Sequence, residues 1–317
     1  MDEGQWCLIE SDPGVFTDLI RNFGVTGVQI EELYSLDDEA CSHLKPIHGL
    51  IFLFKWRAGD EPMGQPAKDT DQIYFAQQVI TNACATQAII NLLFNVNHED
   101  VKLGQILSDF KSFTKDFTPA DRGLVLGNSE QIRTVHNSYG RTQLYEVLQP
   151  PPTKDDDIYH FVAYVPIKGK VYELDGMRES PLEVGVITDG QEWMDVVRPV
   201  INQRIAKFSQ GEIHFNLLAM VKDRKMKLQE QLEILGDAAD PTEIAHLHEE
   251  LNAEHEKDAR QKLENKRRRH NYIPFIVELL RVLAKEELLV PLVKESIEKR
   301  RVEEIAKKQI KTEMKME

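Results

Sequence analysis

After Val221 the chain holds a single glycine, Gly236, whereas sixteen of its 17 glycines lie before that point. Glycine supplies the positive-φ turns that hairpins and tight loops need, so the last third has few ways to fold except as helices. Leu, Glu, Lys, Arg and Gln dominate it, all good helix formers. Leu228, Leu232 and Leu235 share one helical stripe, and Ile244, Leu247 and Leu251 another, with Gly236 to Pro241 between them. A second apolar cluster follows: Ile273, Phe275, Ile276, Leu279, Leu280 and Leu283, then Leu288, Leu289 and Leu292. Pro274 sits where a first helical turn tolerates proline, behind Asn271 as a cap, and Pro291 can open a last helix. Residues 223–317 are therefore expected to form an all-helical domain. Its apolar residues either pack on what precedes them or await a partner helix.

Residues 1–222 are mixed. Leu50-Ile51-Phe52-Leu53-Phe54, bounded by Gly49 and Lys55, fits a buried strand, and prolines 13, 62 and 66 mark turns. Residues 82–95 read as a helix, with Asn82 as its cap and Ala85, Ala88, Ile89, Leu92 and Leu93 at helical spacing. Almost nothing there is charged, so the helix should be buried on most sides. The expected class is α+β, and 317 residues leave room for a second domain.

Hydrophobic residues make up 41 % and charged residues 29 %, the composition of a globular chain. No apolar run approaches the roughly 20 residues of a spanning helix, and Met1-Asp2-Glu3 does not resemble a signal peptide. Three cysteines without CxxC spacing make neither a disulfide framework nor a zinc site, so a soluble protein of a reducing compartment is expected. Residues 258–317 hold 16 Lys and Arg against 11 Asp and Glu, a net of +5, which leaves −19 on the rest of a chain whose formal total is −14. An acidic body argues against direct nucleic-acid binding and is suited to a basic partner.

Among the cysteines, Cys7 lies in the apolar stretch Trp6-Cys7-Leu8-Ile9 and reads as a buried, inert thiol. Cys41 follows Asp37, Asp38 and Glu39, whose charge would raise a thiol pKa. Cys84 falls in the first turn of the 82–95 helix, where free N–H groups and the helix dipole favour a thiolate. A lone cysteine at a helix start is more often a small core residue, so it needs company.

A nucleophilic cysteine needs a base, and the base an orienting group. His246, His248 and His255 lie in charged helical sequence and read as solvated, while His43, His48 and His98 have no distinctive neighbours. His160 opens Tyr159-His160-Phe161-Val162-Ala163-Tyr164-Val165. Pro166-Ile167-Lys168-Gly169 and Lys170-Val171-Tyr172-Glu173-Leu174-Asp175-Gly176 follow, completing a hairpin with a four-residue loop. In that register His160 faces Asp175, and changing the loop by two residues keeps both on one face. A salt-bridged structural histidine is the competing reading. Gln78, six residues before Cys84, could donate to an oxyanion together with the N–H of Cys84, although a glutamine in a polar pair is usually surface.

Gln78-Val79-Ile80-Thr81-Asn82-Ala83-Cys84-Ala85-Thr86-Gln87-Ala88, with His160-Phe161-Val162-Ala163-Tyr164 and Tyr172-Glu173-Leu174-Asp175-Gly176, resembles the ubiquitin carboxyl-terminal hydrolases, papain-like cysteine peptidases. The resemblance opens at Trp6-Cys7-Leu8-Ile9-Glu10-Ser11-Asp12-Pro13-Gly14-Val15-Phe16. Arg269-His270-Asn271-Tyr272-Ile273-Pro274-Phe275-Ile276 is similar to the C-terminal domain of the long, proteasome-associated branch. The resemblance implies a catalytic domain at 1–222 with an antiparallel sheet between helices and a knotted backbone, and a helical partner-binding domain at 223–317. It implies Cys84 as nucleophile, His160 as general base and then acid, Asp175 as its orienter and Gln78 as oxyanion donor, with no metal and no cofactor. The implied reaction cleaves the amide or isopeptide bond after the C-terminal glycine of ubiquitin. Implied partners are ubiquitin, a proteasomal ubiquitin receptor met by the C-terminal helices, and a chromatin-remodelling complex, with no membrane; the implied locations are cytoplasm and nucleus.

Residues 140–158 contain three prolines and three aspartates, poor helix or strand material. A plain surface connector is one reading. The resemblance implies instead a loop crossing the catalytic cleft and limiting the leaving group. A catalytically silent ubiquitin-binding scaffold is the alternative to the enzyme. Against it stands the complete Gln78, Cys84, His160 and Asp175 set, and a metal hydrolase lacks any HExxH or Cys/His ligand spacing.

Overall fold

The computed structural model describes residues 5–55, 63–140, 159–208, 215–236 and 240–313. The loop at 141–158 lies outside them. By compactness the chain divides after Arg269, while its composition changes at Val221. The larger unit is built on seven strands: β1 (Val28–Glu32), β2 (Ile47–Lys55), β3 (Gln65–Pro66), β4 (Tyr159–Ile167), β5 (Lys170–Asp175), β6 (Leu182–Val186) and β7 (Phe215–Lys222). They form one antiparallel sheet in the order β1-β7-β2-β4-β5-β6-β3, so the α+β expectation holds. The interior strand β2, between β7 and β4, is the apolar run seen in the sequence, extended at both ends.

Alternation along the strands gives the sheet two buried faces. On one, Ile51, Phe161, Ala163, Val165, Leu174, Leu218 and Met220 pack with residues of α1 (Pro13–Asn22) and α3 (Cys84–Leu93). On the other, Leu50, Phe52, Phe54, Val162, Tyr164 and Leu217 pack with Met194, Val197 and Ile201 of α7 (Trp193–Phe208). Between α3 and β4 lie α4 (Gly104–Phe113), α5 (Pro119–Asn128) and α6 (Glu130–Asn137), and a short α2 (Asp38–Ser42) precedes β2.

Every residue of α3 is buried, as its lack of charge foretold, but its start differs from expectation. Asn82 does not cap it. A 3₁₀ turn, Thr81–Ala83, leads directly into Cys84, and the Asn82 amide is drawn away to donate to the Trp6 carbonyl at 2.9 Å.

After the sheet, α8 (Arg224–Leu235) ends at Gly236, whose φ of +59° lets the chain leave the helix. The long α9 (Pro241–Arg269) then packs on α8 and α1 within the same unit. Gly14 permits the α1 contact, because a Cβ there would stand 2.9 Å from Cγ of Gln261. Asn265, 2 % exposed, donates to the Gly14 carbonyl at 3.0 Å. Asp258 meets Arg21 at 2.5 Å and Lys225 at 3.0 Å. Burial alone would raise its carboxyl pKa; hydrogen bonds from Lys262, Lys225 and Arg21 outweigh that and hold it well below the carboxylate range.

The second unit holds α10 (Ile273–Lys285) and α11 (Leu289–Glu313). Pro274 stands in the first turn of α10 as expected, and Asn271 Oδ1 accepts from the Ile273 N–H at 3.0 Å. No residue of α10 is buried, although Phe275, Val277, Leu279, Leu280 and Val282 are all apolar.

Candidate active site

His160 and Asp175 stand on the α7 face of the sheet, on adjacent strands. The hairpin joining them turns in two residues, not four: Lys168 and Gly169 both have positive φ, 48° and 77°, the geometry of a type I′ turn. This moves the register by two residues, so Asp175 lies opposite Val162 and His160 lies on the diagonal, beyond the end of β5. Diagonal Cβ atoms are about 7–8 Å apart, a gap two polar side chains can close. Nε2 of His160 lies 2.6 Å from Oδ1 of Asp175, with His160 2 % and Asp175 6 % exposed.

The same oxygen accepts from the Met177 N–H at 2.9 Å, and Arg178 pairs with the other at 3.3 Å. Burial would raise the Asp175 carboxyl, but the His160 hydrogen bond and charge, Met177 and Arg178 more than offset it, and the net shift is downward. Asp175 is thus an anion, so the shared proton sits on Nε2 of His160. Nδ1 is left as the basic ring nitrogen.

Cys84 is the first residue of α3, the helix that packs on β4 and β5. The residue is 8 % exposed. Burial pushes its pKa up to about 11, and the N–H groups of Ala85 and Cys84 pull it back only in part. The helix start does not hold a thiolate unaided, contrary to the sequence expectation, because desolvation exceeds what two N–H groups return.

Gln78 is half-buried and tied to the other candidates through its backbone. Its N–H donates to the Gly176 carbonyl at 2.7 Å, one residue past Asp175. A Cβ at Gly176 would fall 2.9 Å from Cβ of Gln78, so this approach requires glycine. The segment before it is fixed to α3 and to the turn that follows α3 by side-chain amides that sequence reasoning missed. Asn91 exchanges two hydrogen bonds with the Ala76 backbone, at 2.8 and 3.0 Å, and Asn95 does the same with Tyr74, at 2.8 and 2.7 Å. Gln87 adds a third, to the Ala76 carbonyl, at 2.5 Å. Gln87, Asn91 and Asn95 recur every four residues along α3 and the turn after it, a stretch whose other residues are apolar apart from Thr86, and that spacing was the available signal.

His136 was also missed. Wholly buried, it joins Thr86 Oγ1 through Nδ1 and the Cys7 carbonyl through Nε2, both at 2.7 Å, linking α3, α6 and the N-terminal segment. Burial lowers its pKa to about 4 despite the Cys7 carbonyl, so it is neutral. Cys7 is only partly buried, and the Cys41 thiol is raised first by its burial and only then by Asp38 and Asp37. His48 and His98, without neighbours in the sequence, stack edge-on with ring centroids 4.9 Å apart. His246, His248 and His255 are exposed. Among the described residues no group of three or more His, Cys, Asp or Glu could hold a metal ion, and no helix is long and apolar enough to cross a membrane.

The family model for "ubiquitin carboxyl-terminal hydrolase, family 1" matches residues 6–206. The chain belongs to this family. As a member it is a ubiquitin carboxyl-terminal hydrolase, a cysteine peptidase. A second model, for the C-terminal region of ubiquitin carboxyl-terminal hydrolases, matches residues 244–289, across most of α9 and all of α10. The hydrolase is 55 % identical to ubiquitin carboxyl-terminal hydrolase ubh-4 of Caenorhabditis elegans, over 92 % of this chain and 91 % of that one. It is 40 % identical to isozyme L5 of Dictyostelium discoideum, over 92 % and 95 %. Among solved structures it resembles Trichinella spiralis UCH37 bound to ubiquitin vinyl methyl ester, with a TM-score of 0.68 and 45 % identity over 81 % of this chain and 99 % of that one.

Proposed function

We propose that this hydrolase cleaves the amide or isopeptide bond after the C-terminal glycine of ubiquitin with Cys84 as nucleophile, His160 as general base and acid, Asp175 as orienter and Gln78 as oxyanion donor. The observation that carries the reading is the buried His160–Asp175 pair on β4 and β5, the two strands whose opposite face carries the Cys84 helix. Nδ1 of His160 takes the thiol proton, and the thiolate adds to the glycyl carbonyl. The developing oxyanion is met by the N–H of Cys84 and the Gln78 amide. Collapse expels the amine, protonated by His160, and leaves a thioester; the neutral imidazole then activates water to release ubiquitin.

The raised, buried thiol favours a second reading for the isolated chain, a resting state that binds ubiquitin but turns over slowly until the cleft opens. Ubiquitin vinyl methyl ester, the ligand named for the Trichinella relative, separates the readings. An active site labels stoichiometrically at Cys84, located by mass spectrometry of the tryptic adduct, and Asp175→Asn slows the labelling. An unlabelled chain that still binds ubiquitin is the resting scaffold.

The domains we propose are catalysis on residues 1–222 and partner binding on the helices of 223–317. In this reading α10 docks on a proteasomal ubiquitin receptor, which tethers the enzyme to the proteasome; Phe275, 64 % exposed, and its apolar neighbours support a helix-bundle contact. A chromatin-remodelling complex is a second proposed partner, with cytoplasm and nucleus as locations. Phe275→Asp should abolish co-purification with proteasomes and leave hydrolysis of a ubiquitin amide intact. Retained co-purification contradicts the tether.

A further inference from the structure

Behind the His160 ring, away from the Asp175 bond, lies a second support that the catalytic reading does not use. Phe54 of β2 is the direct strand partner of His160, and the two rings meet edge to face, with centroids 5.9 Å apart and planes at 80°. Over the Phe54 ring sits the guanidinium of Arg204, on α7, with Cζ 4.9 Å from the centroid. The guanidinium is held in its plane by two buried partners. One nitrogen donates to the Tyr164 hydroxyl and the other to Oε1 of Glu173, each at 2.9 Å. Glu173 and Tyr164 are fully buried and Arg204 is 6 % exposed.

Tyr164 lies on the His160 strand, four residues on, and Glu173 on the Asp175 strand, two residues before it. Arg204 therefore reaches from α7 to both strands of the candidate dyad and to the aromatic ring that backs it. A buried ion pair is a poor way to gain stability, since well-packed apolar residues do as well. A planar, always-charged fork that bonds two partners while stacking on a ring fixes a geometry that lysine cannot reproduce.

We propose that Arg204 is a positioning residue for catalysis: through Tyr164, Glu173 and the Phe54 ring it sets the plane and depth of the His160 imidazole. The proposal rests on His160 being the general base. Its effect belongs to the chemical step rather than to ubiquitin binding, because none of the four residues is exposed to a partner. A misplacement of about 1 Å in such a group can cost on the order of 100-fold in rate.

The test uses the full chain and a fluorogenic ubiquitin C-terminal amide, with thermal midpoints recorded for every variant. Arg204→Lys keeps the charge and loses the fork. Its kcat should fall about tenfold or more, with KM unchanged and the midpoint well above the assay temperature. Phe54→Leu should lose kcat too, and the double variant should lose no more than the worse single one, because both break the same relay. Tyr164→Phe removes one partner and no charge. It should cost about threefold in kcat, and it decides the matter should Arg204→Lys not fold. Wild-type kcat in folded Arg204→Lys or Tyr164→Phe overturns the proposal, as does a loss confined to KM, or losses that multiply in the double variant. His160→Gln separates the two layers. If it is silent while Arg204→Lys is normal, only the positioning role fails; if it turns over normally, the assignment of the base itself fails.

Discussion

Asp175 pairs across the sheet with Val162 and reaches His160 on the diagonal, at 2.6 Å. The bond exists because the hairpin turns at Lys168-Gly169 and because Met177, folding back past the end of β5, donates to the same carboxylate oxygen. The carboxylate is therefore positioned from both its own strand and the turn that follows.

Asp175→Asn preserves shape but gives Nε2 of His160 an uncharged partner. Loss of the anion removes the preference for the Nε2–H tautomer and the stabilisation of the imidazolium. Hydrolysis of a ubiquitin amide should fall by about 100- to 10,000-fold in kcat, with little change in ubiquitin affinity measured by titration calorimetry.

Gly176→Ala tests the Gln78 link. The added Cβ would stand 2.9 Å from Cβ of Gln78, so the Gln78 segment must yield. We expect kcat to drop more than the urea midpoint does, because Gly176, although buried, lies in the turn past β5 and meets the half-buried Gln78 rather than a core side chain. Equal losses in activity and stability would show instead that Gly176 matters only for folding.

His136 makes stability depend on pH. Its folded-state pKa, about 4, lies below the ordinary 6.5, so the unfolded chain binds this proton more readily. The contribution is complete above about pH 6.5 and is lost as pH falls toward 4, and the shift corresponds to roughly 3 kcal/mol. His48, also lowered to about 4 by burial and then by His98, acts in the same direction. The depressed Asp175 adds to the loss only at lower pH, within and below the ordinary carboxylate range. Urea midpoints between pH 7 and 4.5 should fall steeply for the wild type and less steeply for His136→Gln.

Where the chain is cut should matter. Truncation after Arg269 removes α10 and α11 and leaves α9 on α1, so thermal midpoint and ubiquitin-amide hydrolysis should be preserved. Truncation after Val221 strips α8 and α9 as well. It uncovers Gly14, breaks the Arg21–Asp258 pair and deprives the Gly14 carbonyl of the Asn265 amide, so the midpoint should fall by several degrees. Differential scanning calorimetry of the two truncated chains checks this.

Much of this was legible in the residues, for physical reasons. The Leu50–Phe54 run fitted a buried strand, and period-two logic kept His160 and Asp175 on one face through any even change of register, so an error of two residues in the turn did no harm. The helix around Cys84 announced itself by its lack of charge. What stayed hidden were relationships across the chain. Nothing local to Asn82 says that its amide is taken by Trp6, 76 residues earlier. Nothing near Arg204 points to Phe54, and desolvation of the Cys84 thiol depends on packing that no spacing encodes. Long-range partners, not local propensities, account for these three; the misread Lys168-Gly169 turn was a local miss.

The most direct measurement is hydrolysis of a fluorogenic ubiquitin C-terminal amide by the purified chain beside Cys84→Ala, with Cys7→Ala and Cys41→Ala as controls. The account predicts turnover by the wild type and both controls and none by Cys84→Ala. Turnover that survives in Cys84→Ala, or vanishes instead with Cys7→Ala, would contradict it.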